Sequence, residues 1–154
     1  METDRLRNDD VVEFLRLSHR EGWICDEWEP GFLRRTFPQG CLVKGVRGFP
    51  VVYVTSIRHE TSGWIGNLLV HPDLRRRGLG AELMTLAITA LEEAGVETIW
   101  LTASPSGKPL YERLGFREID TIRRWSGPGM AVNPDSSAGL SPAELGTTGL
   151  LGMG

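Results

Sequence analysis

The apolar positions of this chain change period several times, and each change predicts an element. Val11, Val12, Phe14, Leu15 and Leu17 recur at roughly helical spacing behind Asp9 and Asp10, either of which can cap a helix, and Gly22 can end it. A short strand around Thr3 to Arg7 precedes that helix, and Pro30 suits the first turn of a second, shorter one. The chain then turns β-rich. Cys41-Leu42-Val43 and the run Pro50 to Ile57 are separated by Gly45 and Gly48, so they read as an antiparallel hairpin leading to a third strand at Trp64. From Gly78 the period is helical again: Leu79, Leu83, Met84, Ala87, Ile88 and Leu91 mark one face, and Gly95 is placed to end the helix. Thr98-Ile99-Trp100-Leu101 has the all-apolar character of a strand buried on both faces. Lys108 to Leu114, with Pro109 in its first turn, predicts a short helix, and Phe116 to Ile122 a last strand.

A strand, a crossover helix and another strand make a βαβ unit, so part of the sheet is expected to be parallel. The expected fold class is therefore α/β (α+β): a mixed, mostly antiparallel central sheet flanked by helices. With 154 residues, 40% of them hydrophobic, the chain supports one domain with a real core, expected over residues 1–126. Residues 127–154 hold seven glycines, no Lys or Arg, and only Asp135 and Glu144 as charges. That composition predicts a tail or linker without a core of its own, in which Ser141 can cap a brief helix.

Charge and cysteine usage exclude several classes. A net charge of −3 argues against a nucleic-acid partner, which needs a broad basic surface. Cys25 and Cys41 are too few for a disulfide framework. The N-terminal Met1-Glu2-Thr3-Asp4-Arg5 has no apolar run, so neither a signal peptide nor a membrane span is expected, and the chain reads as cytoplasmic.

The stretch Trp64 to Ala81 carries the chemistry. An apolar strand ends in His71-Pro72-Asp73-Leu74, and Arg75-Arg76-Arg77-Gly78-Leu79-Gly80-Ala81 then opens the long helix. Glycines let loop amides converge, the helix end directs unpaired N–H groups and its positive dipole there, and arginines add charge. The natural guest is a phosphate or pyrophosphate. No Gly-Lys-Ser/Thr follows, so this is not a P-loop, and Leu83 stands where a dinucleotide fingerprint needs its third glycine. Taken singly, the glycines could make an ordinary turn and the arginines a solvated surface.

The segment Val70-x-Pro72-x-x-Arg75-Arg76-Arg77-Gly78-Leu79-Gly80-Ala81 resembles the acetyl-CoA motif of GNAT (GCN5-related) N-acetyltransferases, and Pro109-Leu110-Tyr111-Glu112-Arg113-Leu114-Gly115-Phe116 resembles that family's Leu-Tyr-x-x-x-Gly-Phe segment. The likeness covers roughly residues 3 to 125. It implies acetyl-CoA as co-substrate, no metal, and transfer to a primary amine of a small molecule or a protein by direct attack on the thioester. It implies that amides of Arg76, Arg77, Gly78, Leu79, Gly80 and Ala81 wrap the pyrophosphate, with Arg75 and Arg76 or Arg77 adding charge-assisted contacts. Main-chain groups of Leu68, Leu69 and Val70 would pair with the pantetheine arm and stabilise the oxyanion.

By the same resemblance Tyr111 protonates the leaving thiolate, the loop and helix around Trp23, Asp26, Glu27 and Trp28 form one wall of the acceptor site, and Ser104 or Ser106 substitutes for an asparagine that often contacts the cofactor. Both tryptophans could equally be core, and both carboxylates solvated. The glutamate that many relatives use as base has no counterpart here, because Gly66 and Asn67 occupy those strand positions; His59, Glu60, His71, Asp26 and Glu27 remain open. The acidic segment Asp26 to Glu29 favours a cationic acceptor. A catalytically silent acyl-CoA-binding regulatory module is the second reading, and a phosphate-binding module unrelated to CoA the third. An edge strand in such a sheet is a pairing surface, so a homodimer belongs to the expectations.

Overall fold

The computed structural model describes residues 1–46, 48–123 and 125. The chain divides into two units, Met1–Asp120 and Thr121–Gly154. The glycine-rich tail 127–154 and the helix start at Ser141 lie outside the described residues.

The first unit runs β1 (Glu2–Arg5), α1 (Asn8–Arg20), α2 (Trp28–Thr36), a 3-10 turn (Pro38–Gly40), β2 (Leu42–Val46), β3 (Phe49–His59), β4 (Ser62–Val70), a second 3-10 turn (Pro72–Leu74), α3 (Leu79–Glu93), β5 (Thr98–Leu101) and α4 (Lys108–Arg113). The sheet order among the described residues is β1-β2-β3-β4-β5. The first three pairings are antiparallel, and β4 with β5 is parallel, as the βαβ reading requires.

Alternation along β3 explains how one sheet serves two cores. Val52 and Val54 face α3, where they join Ile65, Leu83, Met84, Ala87 and Leu91. Tyr53 points the other way, into a cluster with Val11, Phe14, Leu17, Val43 and Leu69 beneath α1. Each face therefore has its own amphipathic helix as cover.

Three expectations change at the ends of elements. The first helix begins at Asn8, ahead of the aspartates, with Arg7 at the N-cap. Asp10 works from inside the first turn, accepting the Arg7 N–H at 2.8 Å, because an acid at the third helical position can reach back to the cap amide. The strand at Thr98–Leu101 is half-buried rather than covered on both faces, since it ends the sheet among the described residues and pairs only with β4. The last strand, Phe116 to Ile122, does not form. Its apolar residues Phe116, Ile119 and Ile122 recur every third position, whereas a strand needs every second to present one face.

The turn into β2 is tightly built. Ser56 Oγ donates to the Gly40 carbonyl at 2.8 Å, and a Cβ at Gly40 would stand 2.0 Å from that same oxygen and 2.4 Å from Phe37 Cε1. Both neighbours are buried, so neither can swing aside. Gly40→Ala is expected to cost about 3 kcal/mol as an overpacked site, lowering the thermal midpoint by roughly 10 °C in calorimetry.

Candidate functional site

The site is organised by the place where β4 leaves its parallel neighbour. β5 pairs with β4 only from Ser62 to Ile65, yet β4 continues to Val70, so among the described residues five positions have a free edge on that side. A bulge sits at the start of the free stretch. The β3–β4 register slips between Tyr53↔Leu69 and Thr55↔Gly66, and Asn67 takes φ +53°. An extra residue in one strand bends it and re-aims the side chains that follow. The His71 N–H returns to Val51 of β3 at 2.8 Å, so by strand alternation Val70 turns its own amide and carbonyl toward the open edge.

The basic loop follows directly. Arg76 holds φ +61°, a left-handed conformation that costs a non-glycine residue about 1 kcal/mol, and Gly78 holds φ +80° as the N-cap of α3. Among the described residues no side chain caps this helix, and the first-turn amides of Leu79, Gly80 and Ala81 have no intrahelical acceptors. Arg76 and Arg77 are exposed and form no ion pair among the described residues. Arg75 differs from them: its Nε donates to the Val70 carbonyl at 3.0 Å and its Nη2 pairs with Glu21 at 2.7 Å. It ties the loop to the strand end and to the end of α1. The fixed positive groups facing outward are therefore the helix amides and two arginines, which suits a diphosphate. Leu68 and Val70 lie against Gly80 on the α3 side, while Leu69 is buried in the opposite core.

Tyr111 comes from α4, which packs its Leu110 toward Gly80 in the first turn of α3. The Tyr111 ring lies edge-on to Phe116, with centroids 6.3 Å apart. Burial pushes its phenol pKa up, with no side-chain hydrogen bond contributing, and among the described residues none is formed by the hydroxyl. Ser104 serves locally. Its hydroxyl accepts the Gly107 N–H at 3.2 Å and meets Ser106 Oγ at 3.1 Å, closing the turn into α4.

Across the sheet from α3 lies a small pocket of about 70 Å³, lined by Glu29 and Leu33 of α2, Thr55, Ser56 and Ile57 of β3, and Trp64 and Gly66 of β4. The acceptor-side candidates distribute around it unequally. Trp23 packs edge-on to Phe14 at 6.5 Å and belongs to the α1 core. Asp26 Oδ1 accepts the amides of Trp28 and Glu29, at 2.9 and 3.3 Å, and so starts α2. Glu27 is the exposed N-cap residue, and Trp28 is exposed and stacked on Phe32 at 5.2 Å. His59 and Glu60 form the far turn of the β3–β4 hairpin, about 26 Å of strand from Val70. His71 Nδ1 accepts the Asp73 N–H at 3.4 Å and caps the 3-10 turn.

Sequence reasoning passed over two residues as site residues, one lining this pocket and one bonded to it. Glu29 enters it from α2, and Asn67 reaches over it from the bulge, donating to Glu29 Oε1 at 3.1 Å and to Thr55 Oγ1 at 3.0 Å. A usable signal existed. Asn inside an otherwise apolar strand is a residue type that tolerates left-handed φ, and Glu29 and Leu33 share a helix face four residues apart.

Comparison with known proteins agrees with this geometry. A [ribosomal protein bS18]-alanine N-acetyltransferase from Salmonella typhimurium is 49% identical over 61 residues, 38% of this chain and 40% of the relative. The N-alpha-acetyltransferase MAK3 of Arabidopsis thaliana is 44% identical over 62 residues, 38% of this chain and 33% of its own length. Each match thus spans well under half of the curated relative. The structure of Ard1 from Thermoplasma volcanium superposes with a TM-score of 0.71 at 19% identity, over 77% of this chain and 84% of that one, which is a likeness of fold. Residues 49–127, about half of the chain and including β3, β4, the basic loop, α3 and α4, match the family model described as "Acetyltransferase (GNAT) domain". The chain belongs to the GNAT acetyltransferase family.

Proposed function

We propose that this protein is an acetyl-CoA-dependent N-acetyltransferase whose acceptor is the α-amine of a peptide or protein. The observation that carries the reading is the continuity of the free β4 edge with the uncapped start of α3. An extended arm laid along Gly66 to Val70 would bring its diphosphate to the amides of Leu79, Gly80 and Ala81 beside Arg76 and Arg77. Acetyl-CoA has those two parts in that order, and when bound it supplies an activated acetyl thioester. The Val70 amide binds the arm, the loop binds the phosphates, and Tyr111 donates a hydrogen bond to the departing sulfur.

Two considerations favour an α-amine. The relatives named above include an N-alpha-acetyltransferase and an alanine N-acetyltransferase of a ribosomal protein. An α-ammonium, with pKa about 7.7 to 8, is already about one-tenth neutral at pH 7, whereas a lysine ammonium near 10.4 is neutral in only about one molecule in 2,500. A site without a strand glutamate at Gly66 or Asn67 suits the weaker acid-base demand of the former.

The test is thermal unfolding of the full chain with acetyl-CoA or ADP, followed by turnover on peptides with free N-termini. Acetyl-CoA at a hundred times its dissociation constant is expected to add about 2.7 kcal/mol, raising the midpoint by roughly 5 to 10 °C, and to exceed ADP. No shift at millimolar acetyl-CoA would overturn the reading. Turnover on ε-amines with none on α-amines would overturn its acceptor.

A further inference from the structure

We infer that Glu29 is the carboxylate that receives the acceptor's ammonium and takes its proton, and that Asn67 is the positioning residue that holds it there. The inference rests on the acetyltransferase reading above and assigns the base which that reading lacks. The geometry begins with the bulge. Thr55 and Gly66 place the backbone so that Asn67, at φ +53°, turns its side chain onto the α2 face of the sheet. There both hydrogens of its amide nitrogen are used, one on Glu29 Oε1 at 3.1 Å and one on Thr55 Oγ1 at 3.0 Å. Thr55 Oγ1 in turn donates to the Gly66 carbonyl at 3.3 Å, so the arrangement is anchored in the strand itself. A side chain from α2 and one from β4, thirty-eight residues apart in sequence, are joined over a pocket.

The chemistry of that hold matters. An Arg or Lys in place of Asn67 would neutralise the carboxylate, whereas a neutral amide fixes its position and leaves its charge for an incoming cation. Glu29 Oε2 has no hydrogen-bond partner among the described residues, and Glu29 is exposed while lining the pocket. Among the described residues the pocket walls contribute no competing cation: Leu33, Thr55, Ser56, Ile57, Trp64 and Gly66 carry no charge. On its own segment Asp26, which accepts the Glu29 N–H, and Glu27 reinforce attraction for an ammonium, while the Arg35 guanidinium of the same helix lies against Gly31.

Position along the strand completes the argument. The bulge stands two residues beyond the last β4–β5 pair, Ile65↔Leu101, where the free edge begins. Gly66, the first β4 residue beyond that pair, also lines the Glu29 pocket, so the free edge and the pocket share a residue at this point. In the step, Glu29 takes one proton from R–NH3⁺. The released lone pair forms the N–C bond to the acetyl carbon as the C–S bond breaks, and its electron pair goes to sulfur. The nitrogen loses a second proton on forming the amide, the sulfur gains one, and Glu29 returns its proton to water; one proton is released in total.

The experiment uses the full chain, acetyl-CoA and a hexapeptide with a free N-terminal alanine as the probe. Glu29→Gln is expected to lower kcat/KM for the peptide at pH 7 by 30-fold or more, with the acetyl-CoA dissociation constant within twofold of wild type. Its deficit should shrink toward pH 9, where the probe's α-amine deprotonates unaided. Asn67→Gly keeps a backbone at ease with positive φ and removes only the amide. It should lose 5- to 10-fold and show the same pH-dependent recovery, which a merely structural role would not produce. Wild-type kcat/KM and an unchanged pH profile in Glu29→Gln, with the wild-type chain active, would overturn this assignment and leave the acetyltransferase reading intact. A wild-type chain that neither binds acetyl-CoA nor acetylates the probe would overturn both.

Discussion

Replacing Tyr111 by Phe is expected to lower kcat by a factor of about 10² or more while leaving acetyl-CoA affinity and the thermal midpoint nearly unchanged. The ring is held by packing that Phe retains: the edge contact with Phe116, the backbone near Gly107, where a Cβ would come within 3.0 Å of Tyr111 Cε2, and the apolar cluster under α3. Since the hydroxyl bonds no other group among the described residues, removing it orphans nothing, and the structural cost is small. What disappears is a donor. Burial raises the phenol pKa above its ordinary value of about 10, so the protonated form persists through the whole working range. The wild-type rate should therefore show no alkaline fall due to this residue below about pH 10. Full proton transfer to a thiolate, whose conjugate acid lies near 8.5, is uphill from such a phenol. The contribution is instead a hydrogen bond that strengthens as charge gathers on sulfur. Steady-state kinetics with acetyl-CoA titration decides the matter: an unaltered kcat in Tyr111→Phe would reduce the residue to packing.

The parts of this molecule that were legible in the sequence are those written in local patterns. The period of Leu83, Met84, Ala87 and Leu91 gives α3, and the apolar run at Trp64 gives β4. The order strand, basic loop, helix is the pattern of an anion site, because glycine, arginine and a helix start act through groups close together in sequence. What escaped depends on contacts between distant segments. No local feature of Arg75 says that it turns back to Val70 and Glu21, while its neighbours Arg76 and Arg77 face outward. Trp23 reads equally as wall or core until Phe14 is seen beside it. Glu29 acquires its place only from Asn67, which in turn depends on a register slip against β3. A strand pattern reports which face a residue is on, and a bulge changes that face within one residue. The strand expected at Phe116 to Ile122 does not form, and the spacing of three between its apolar residues does not support one.

Gly78→Asn is expected to be tolerated and Gly80→Asn to disable the cofactor loop, although both glycines belong to one motif. Gly78 is required by its backbone. It holds φ +80° at the N-cap of α3, and a Cβ built there meets nothing within 4 Å. Asn visits left-handed φ readily, so that substitution should cost less than about 1 kcal/mol, whereas a β-branched residue should cost more. Gly80 is required by its surroundings. It lies inside the first turn of α3, and its Cβ would come within 3.3 Å of Val70 Cγ2, 3.7 Å of Leu110 Cδ2 and 3.8 Å of Leu68 Cδ2. Alanine asks those side chains to give a few tenths of an ångström. Asparagine drives further atoms among three apolar side chains and leaves a polar amide there without a partner, for a combined cost of about 3 kcal/mol or more. The first turn of α3 relieves that crowding by moving off β4, which carries the amides of Leu79, Gly80 and Ala81 away from the free edge at Val70. Acetyl-CoA affinity should then fall at least tenfold, and the thermal midpoint by roughly 10 °C. Equal behaviour of the two variants in calorimetry and cofactor titration would mean that close seating of the helix on the strand is not what aligns the anion site. Unequal behaviour in the stated order would tie the distance between α3 and β4 to cofactor binding.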